Sequence, residues 1–270
     1  MTIDPNQLYQ YQWLCEGETK AVVLLVHGLN EHCRRYENLA KVLNQNHYAL
    51  YAIDLPGHGR SPGIRGHIDK FHDFEDSVLH LYNQIKRTHP SLPIFLLGHS
   101  MGGLIASHLL LNHQKLFKGA VLSAAALQSP KQPSSLEIKI ISAISAIFPS
   151  LKMIKLGING LSKDQQVIEQ YLSDPLINKG RLSARLMVEL FNTMQVTMDG
   201  ASDINLPVLI MHGSVDPVTH PDGSKKFSSL ITSTSNTLKI YEGLFHEIFN
   251  EPEAQNVFND VIQWLNEANA

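Results

Sequence analysis

The segment Gly98-His99-Ser100-Met101-Gly102-Gly103 sets a serine among glycines, after the apolar run IFLL (94–97) and before a stretch of helical period. A serine on a sharp strand-to-helix turn stands clear of both elements, and flanking glycines relieve the crowding such a turn creates. The start of the following helix adds free N–H groups and a positive dipole end beside the hydroxyl. This arrangement suits nucleophilic attack. The plainer reading is a turn whose serine merely caps a helix, so the serine needs partners. A hydroxyl is a weak nucleophile that requires a base, itself oriented by a carboxylate. Asp216 lies in the loop His212-Gly213-Ser214-Val215-Asp216-Pro217 after the run VLIM, and His246 in the loop after TLKIY. An aspartate before proline is commonly just a turn residue, and His246 is one of 14 histidines. Three such residues in the order Ser, Asp, His, each after a strand-like run, make a candidate triad.

Attack on a carbonyl builds charge on its oxygen, which two backbone N–H groups could hold. Met101, next to the serine, supplies one; Leu29, in the loop His27-Gly28-Leu29 after the run AVVLLV (21–26), supplies the other. Such donors contribute about 3 kcal/mol each to transition-state stabilisation.

These loops require a scaffold of strands and helices. AVVLLV, YALYAI (48–53), IFLL and GAVL (119–122) read as buried strands, and the later runs VLIM (208–211) and TLKIY (237–241) continue the series. Phe71, Phe74, Val78, Leu81 and Ile85 recur at helical spacing until Pro90; further helices are expected near 222–230 and 252–265. Strands alternating with helices imply an α/β architecture, a mostly parallel central sheet with helices on both faces. Residues 128–201 contain no comparable strand and are expected to form an all-helical cap, inserted after the fourth predicted strand into a single domain spanning 1–270.

The composition agrees with a globular enzyme: 270 residues, 43% hydrophobic and 17% charged. A net charge of −3 and a pI near 6.5 give no reason to expect nucleic-acid binding. Two cysteines, Cys15 and Cys33, are too few for a disulfide framework and point to reduced thiols in the cytoplasm. The stretch Met1-Thr2-Ile3-Asp4-Pro5-Asn6-Gln7 has no basic region leading into an apolar one, so no signal peptide is expected. No apolar run approaches the roughly 18 residues of a membrane span, so any membrane contact should be peripheral.

The segments HGLNEHCRRYENLA (27–40), DLPGHGRSPG (54–63), LPIFLLGHSMGG (92–103), YLSDPL (171–176), HGSVDPV (212–218) and TLKIYEGLFHE (237–247) resemble the monoacylglycerol lipase family of lysophospholipase-like α/β hydrolases. The resemblance implies an α/β-hydrolase fold and cleavage of monoacylglycerols to glycerol and fatty acid, with no cofactor. It implies Ser100, Asp216 and His246 as triad, Leu29 and Met101 as oxyanion donors, and Glu31, Arg35 and Tyr171 around the glycerol headgroup. Those three side chains could satisfy vicinal hydroxyls; equally, Glu31 and Arg35 could form an ion pair that orders the oxyanion loop. The sequence departs from the mammalian members at Phe249, where they carry a histidine in the glycerol pocket.

Within the expected cap, Ser134 and Glu137 have capping-box spacing. The helix they open sets Leu136, Ile140, Ile141, Ile144, Ile147 and Phe148 on one face, with Lys139, Ser142 and Ser145 on the other, until Pro149. Such a stripe packs on a core in most proteins; alternatively it rests on membranes where an amphiphilic lipid ester partitions, giving peripheral contact near 136–148. Rival functions are a lysophospholipase or general carboxylesterase with the same triad, a metallohydrolase, and a binding module without activity. His246-Glu247 lacks the second histidine of H-E-x-x-H, with Asn250 in its place, so no metal is expected. A binding module would be expected to have lost a triad member.

Overall fold

The computed structural model describes residues 3–270; Met1 and Thr2 of the N-terminal stretch considered above lie outside the described residues. The first half of the chain forms β1 (Gln10–Trp13), β2 (Ala21–Val26), α1 (Glu37–Gln45), β3 (Tyr48–Ile53), α2 (His72–Thr88), β4 (Ile94–His99), α3 (Met101–His113) and β5 (Gly119–Ser123). Next come α4 (Ser135–Ile147), β6 (Lys152–Ile154), α5 (Gln165–Ser173), β7 (Leu182–Ser183) and α6 (Ala184–Asp199). The chain then returns through β8 (Val208–Gly213), α7 (Pro221–Leu230), β9 (Asn236–Tyr241) and α8 (Ala254–Asn269).

The main sheet has seven strands in the order β1-β3-β2-β4-β5-β8-β9. All neighbours pair in parallel except β1, which runs antiparallel to β3 at the edge. Every residue of β2, β3, β4, β5 and β8 is buried. Alternate residues of a strand face opposite ways, so each inner strand feeds two cores. Val22, Leu24 and Val26 pack with Phe74, Val78 and Leu81 of α2 and Leu104 of α3. Val23 and Leu25 pack on the other face with Leu39 and Leu43 of α1 and Val261 and Trp264 of α8. That double burial is why these strands read as unbroken apolar runs. Because the strands are parallel, β4, β8 and β9 all end at one edge, where Ser100, Asp216 and His246 follow.

One sequence expectation needs correction. The insertion is not all-helical: β6 pairs antiparallel with β7. Strands of two or three residues are too short for a period to register. Of the two fates open to the apolar stripe of α4, the structure exposes much of it. Ser145 is buried, while Leu136, Ile140, Ile147 and Phe148 are exposed by half or more. The capping box does form, with Ser134 Oγ accepting from the Glu137 N–H and Glu137 Oε2 accepting from the Ser134 N–H. α4 lies against α6, and Arg185 Nη2 of α6 donates to the Ser145 carbonyl, so the small serine sits at the close approach. The edge strand β1 is a further element that sequence periodicity missed, its QYQW pattern mixing polar and aromatic residues.

Gly102 shows how tightly α3 sits on the sheet: a Cβ there would lie 2.1 Å from the Val26 carbonyl oxygen. Gly102→Ala is expected to destabilise the fold by about 1–3 kcal/mol through forced displacement of the helix. Gly157→Ala, where a Cβ meets nothing within 4 Å, serves as the control in thermal unfolding. Equal melting temperatures for the two variants would contradict this packing account.

Candidate active site

β4 ends at His99, and the chain turns directly into α3 through Ser100, whose φ is 55° and ψ is −118°. An L-residue reaches that region only when its neighbours hold it there. The Ser100 N–H donates to the Ser123 carbonyl at 2.9 Å, and the Ser100 carbonyl accepts from the Leu104 and Ala126 N–H groups. Gly98 admits the turn because a Cβ there would meet the Gly102 carbonyl oxygen at 2.3 Å.

His246 Nε2 lies 2.9 Å from Ser100 Oγ, and His246 Nδ1 lies 2.7 Å from Asp216 Oδ2. A carboxylate oxygen only accepts, so the imidazole proton sits on Nδ1 and the Nε2 lone pair faces the serine. Asp216 is itself enclosed. Its Oδ1 accepts from the Val218 and Thr219 N–H groups, and its Oδ2 also faces the Thr219 hydroxyl at 2.9 Å and His212 Nε2 at 3.0 Å. Burial alone would raise this carboxyl, but the charge of His246 and the donors from His212 and His246 outweigh it, holding Asp216 far below the ordinary carboxylate range. The structure therefore brings Ser100, His246 and Asp216 into one hydrogen-bonded row. Such a row can move a proton from the hydroxyl to the imidazole while the carboxylate stays ionised.

Leu29 and Met101 both border the cavity that Ser100 and His246 line. The loop carrying Leu29 is fixed by buried charge. Glu31 Oε1 accepts from the Gly28 N–H at 2.5 Å and the Tyr36 hydroxyl at 2.7 Å, and Glu31 Oε2 accepts from Arg35 at 2.8 Å. The Arg35 fork also makes two bonds of 2.7 Å to the two oxygens of Glu247. Burial would push Glu31 up, but Arg35, His99, His27 and the Tyr36 hydroxyl together outweigh it and the carboxyl is held at about 2. The guanidinium lies 4.9 Å from the centre of the Tyr171 ring. Glu31 and Arg35 thus spend their hydrogen bonds on the loop and on Glu247, a member of the cluster that sequence reasoning passed over. Its only signal was its place beside His246. Tyr171 also borders the cavity, where burial raises its phenol.

The insertion is stitched to the same loop. The Asn178 N–H donates to the Asn30 carbonyl, Asn178 Nδ2 to Asn30 Oδ1, and His32 Nε2 pairs with Asp174 Oδ2 at 2.8 Å. Under the insertion runs a cavity of about 900 Å³. Its apolar walls include Ile140 and Ile141 of α4 and Met187, Leu190, Phe191 and Met194 of α6; the polar end holds Ser100, Glu31, Arg35 and Glu247. Phe249 is not part of that lining. It is buried behind the site, with its ring centre 6.4 Å from that of Tyr36 and 6.1 Å from that of Phe258.

A family model described as serine aminopeptidase S33 matches residues 17–253. A monoacylglycerol lipase of Mycolicibacterium smegmatis is 31% identical, over 94% of this chain and 90% of that protein. The human monoglyceride lipase is 32% identical, over 99% of this chain and 89% of that protein. Among solved structures, that of the Paleococcus ferrophilus monoacylglycerol lipase superposes with a TM-score of 0.88 at 31% identity, covering 97% of this chain and 99% of that one.

Glu31→Gln leaves Arg35 with one anionic partner and is expected to cost about 3 kcal/mol of stability, since breaking one side of a buried pair strands charge. Because the folded-state value of Glu31 lies below its ordinary 4.5, its contribution is complete above that pH and is lost as pH falls towards 2. Chemical denaturation across pH 2–6 should show a shallower acid loss in the variant than in the wild type. Parallel curves would remove Glu31 from the account.

Proposed function

We infer the function from kinship and site together: the chain belongs to the monoacylglycerol lipase family, and it hydrolyses monoacylglycerols to glycerol and a free fatty acid through an acyl-enzyme. The observation that carries this reading is the hydrogen-bonded row Ser100–His246–Asp216 at the polar end of a long apolar cavity. Residues 128–201 act as the cap of a single domain spanning 1–270, and the cavity they roof takes the acyl chain. Ser100 Oγ attacks the ester carbonyl while His246 Nε2 takes its proton. The Leu29 and Met101 N–H groups hold the oxyanion. His246 then protonates the departing glycerol oxygen, leaving an acyl-Ser100 ester. Water attacks that ester with His246 again as base, and the fatty acid leaves. Glu31 and Arg35 hold the oxyanion loop, and Tyr171 offers its hydroxyl to the headgroup.

The substrate partitions into lipid, and the outer face of α4 suits the surface where it is found. Leu136, Ile147, Phe148 and Leu151 are exposed, and exposed Ile140, Ile154 and Leu156 border the cavity together with Lys131, Lys155 and Lys179. Apolar side chains beside cations favour contact with a bilayer carrying some anionic lipid. Among the described residues no helix is long and apolar enough to cross a membrane, so this contact is peripheral.

Two experiments test these statements. Ser100→Ala is expected to lower kcat by about 10⁴-fold or more, to abolish fluorophosphonate labelling, and to leave the circular dichroism spectrum unchanged; retained turnover would overturn the triad. The assay panel should include monoacylglycerols, lysophosphatidylcholine and p-nitrophenyl esters, and faster turnover of the lysophospholipid would shift the substrate reading. Leu136→Ser combined with Ile147→Ser is expected to weaken vesicle co-sedimentation by about tenfold or more, given the apolar area withdrawn. Unchanged vesicle binding would exclude this face as the contact.

A further inference from the structure

His212 is the next-to-last residue of β8, with its side chain wholly shut off from solvent. The ring has no part in the reaction steps above, yet it touches the group that orients the base. Its Nε2 faces three oxygens: Asp216 Oδ2 at 3.0 Å, the Thr219 carbonyl at 3.1 Å and Thr219 Oγ1 at 3.3 Å. Two of these only accept hydrogen bonds, so Nε2 must carry a proton. Its Nδ1 lies 2.7 Å from Ser224 Oγ on α7, and in the neutral ring it accepts the serine hydroxyl proton. One tautomer thus satisfies both ring nitrogens.

We propose that His212 is a positioning residue of the triad, donating from Nε2 to the same Asp216 oxygen that accepts from His246 Nδ1. The proposal rests on the reading of Ser100, His246 and Asp216 given above. Two consequences follow. With Oδ1 pinned by the Val218 and Thr219 N–H groups and Oδ2 by His212, the carboxylate keeps its orientation whether or not His246 is protonated. Sharing Oδ2 between two imidazole N–H groups also spreads the carboxylate charge. Asp216 then orients His246 with part of its charge already engaged by a second donor.

The other charged and titratable groups around this set are few. The ring centre of His99 lies 4.9 Å from that of His246, and burial lowers His99 to about 4, which keeps it neutral. Glu31, Arg35 and Glu247 form their own cluster beyond it. Asp222 and Lys225 of α7 pair with each other in solvent, and Lys239 of β9 pairs with Asp260 of α8. His212 is therefore the one ring besides His246 that donates to Asp216 among the described residues.

The test compares pH profiles of kcat/KM on a water-soluble short-chain ester, with active enzyme counted by fluorophosphonate titration. His212→Leu removes both ring nitrogens, whereas His212→Gln keeps a donor able to reach Asp216. His212→Asn carries the same amide on a shorter stem. The acid limb is expected to move up by about half to one pH unit in the Leu and Asn variants, a part of the effect of one donor on a charged acceptor, because the donor is lost at Asp216 and reaches the base only through it. It should return to the wild-type position in the Gln variant. A purely structural role would change the amount of active enzyme but not the position of the limb. If the Leu variant does not fold, the Asn–Gln contrast decides. An unmoved limb in the donor-deficient variants, or one displaced equally in Gln and Asn, overturns the proposal. Ser100→Ala, run alongside, separates the two readings: turnover near the wild-type level there would refute the triad, whereas a Ser100→Ala enzyme slowed by about 10⁴-fold or more with unmoved His212 variants refutes only the role of His212.

Discussion

Ser100 is held at φ 55°, a backbone state that costs about 1–3 kcal/mol for a residue with a side chain. Most of the architecture can be understood as what keeps it there. Its N–H is taken by the end of β5, and its carbonyl by the first turn of α3 and by Ala126. These bonds have the right lengths only if α3 presses onto β2 and β4, which is possible because Gly98 and Gly102 carry no side chain. Deep burial of β2, β4 and β5 between two cores makes that pressure sustainable. The strain is local; the resistance to it is spread over the whole sheet.

The second requirement of the proposed mechanism is a fixed loop around Leu29, and that loop is held by charge rather than by apolar packing. A lone buried carboxylate would be costly, but Glu31 receives a backbone N–H, a phenol and a guanidinium, while Arg35 is shared with Glu247. Glu247 follows His246 directly, so one cluster ties the loop after β2 to the loop bearing the proposed base. The insertion joins through Asn178 and Asp174, which bond to Asn30 and His32 of the same loop. The insertion and the loop carrying Leu29 are thus held to one another at two points.

What the sequence revealed follows from how each feature is encoded. Strands buried on both faces need unbroken apolar runs, so AVVLLV, YALYAI and IFLL were legible, as was the order Ser, Asp, His. The partners of the triad were not. His212 and Glu247 stand inside segments that had been picked out for their neighbours, and nothing in their spacing tells a buried donor from a solvated side chain. β1 was hidden because an edge strand has no need of an apolar pattern, and β6 and β7 because they are shorter than any period. For α4 the capping box fixed where the helix begins, but the side it turns outward depends on α6, some fifty residues later in the chain. The ion pairs that Arg35 makes to both Glu31 and Glu247 likewise needed the position of Glu247.

Phe249 bears on headgroup preference in a way its position in the sequence did not suggest. A histidine three residues beyond the base would add a polar group to a glycerol pocket, and the phenylalanine here first reads as a loss of that group. Its ring instead lies in the core against Tyr36, His99 and Phe258, away from the cavity wall. Tyr36 in turn bonds Glu31, so Phe249 supports the oxyanion loop from behind. With Glu31, Arg35 and Glu247 committed to one another, these three charges are paired within the protein rather than held ready for a substrate. Selection of the headgroup then depends more on the shape of the space beside Ser100 than on a set of unpaired charges.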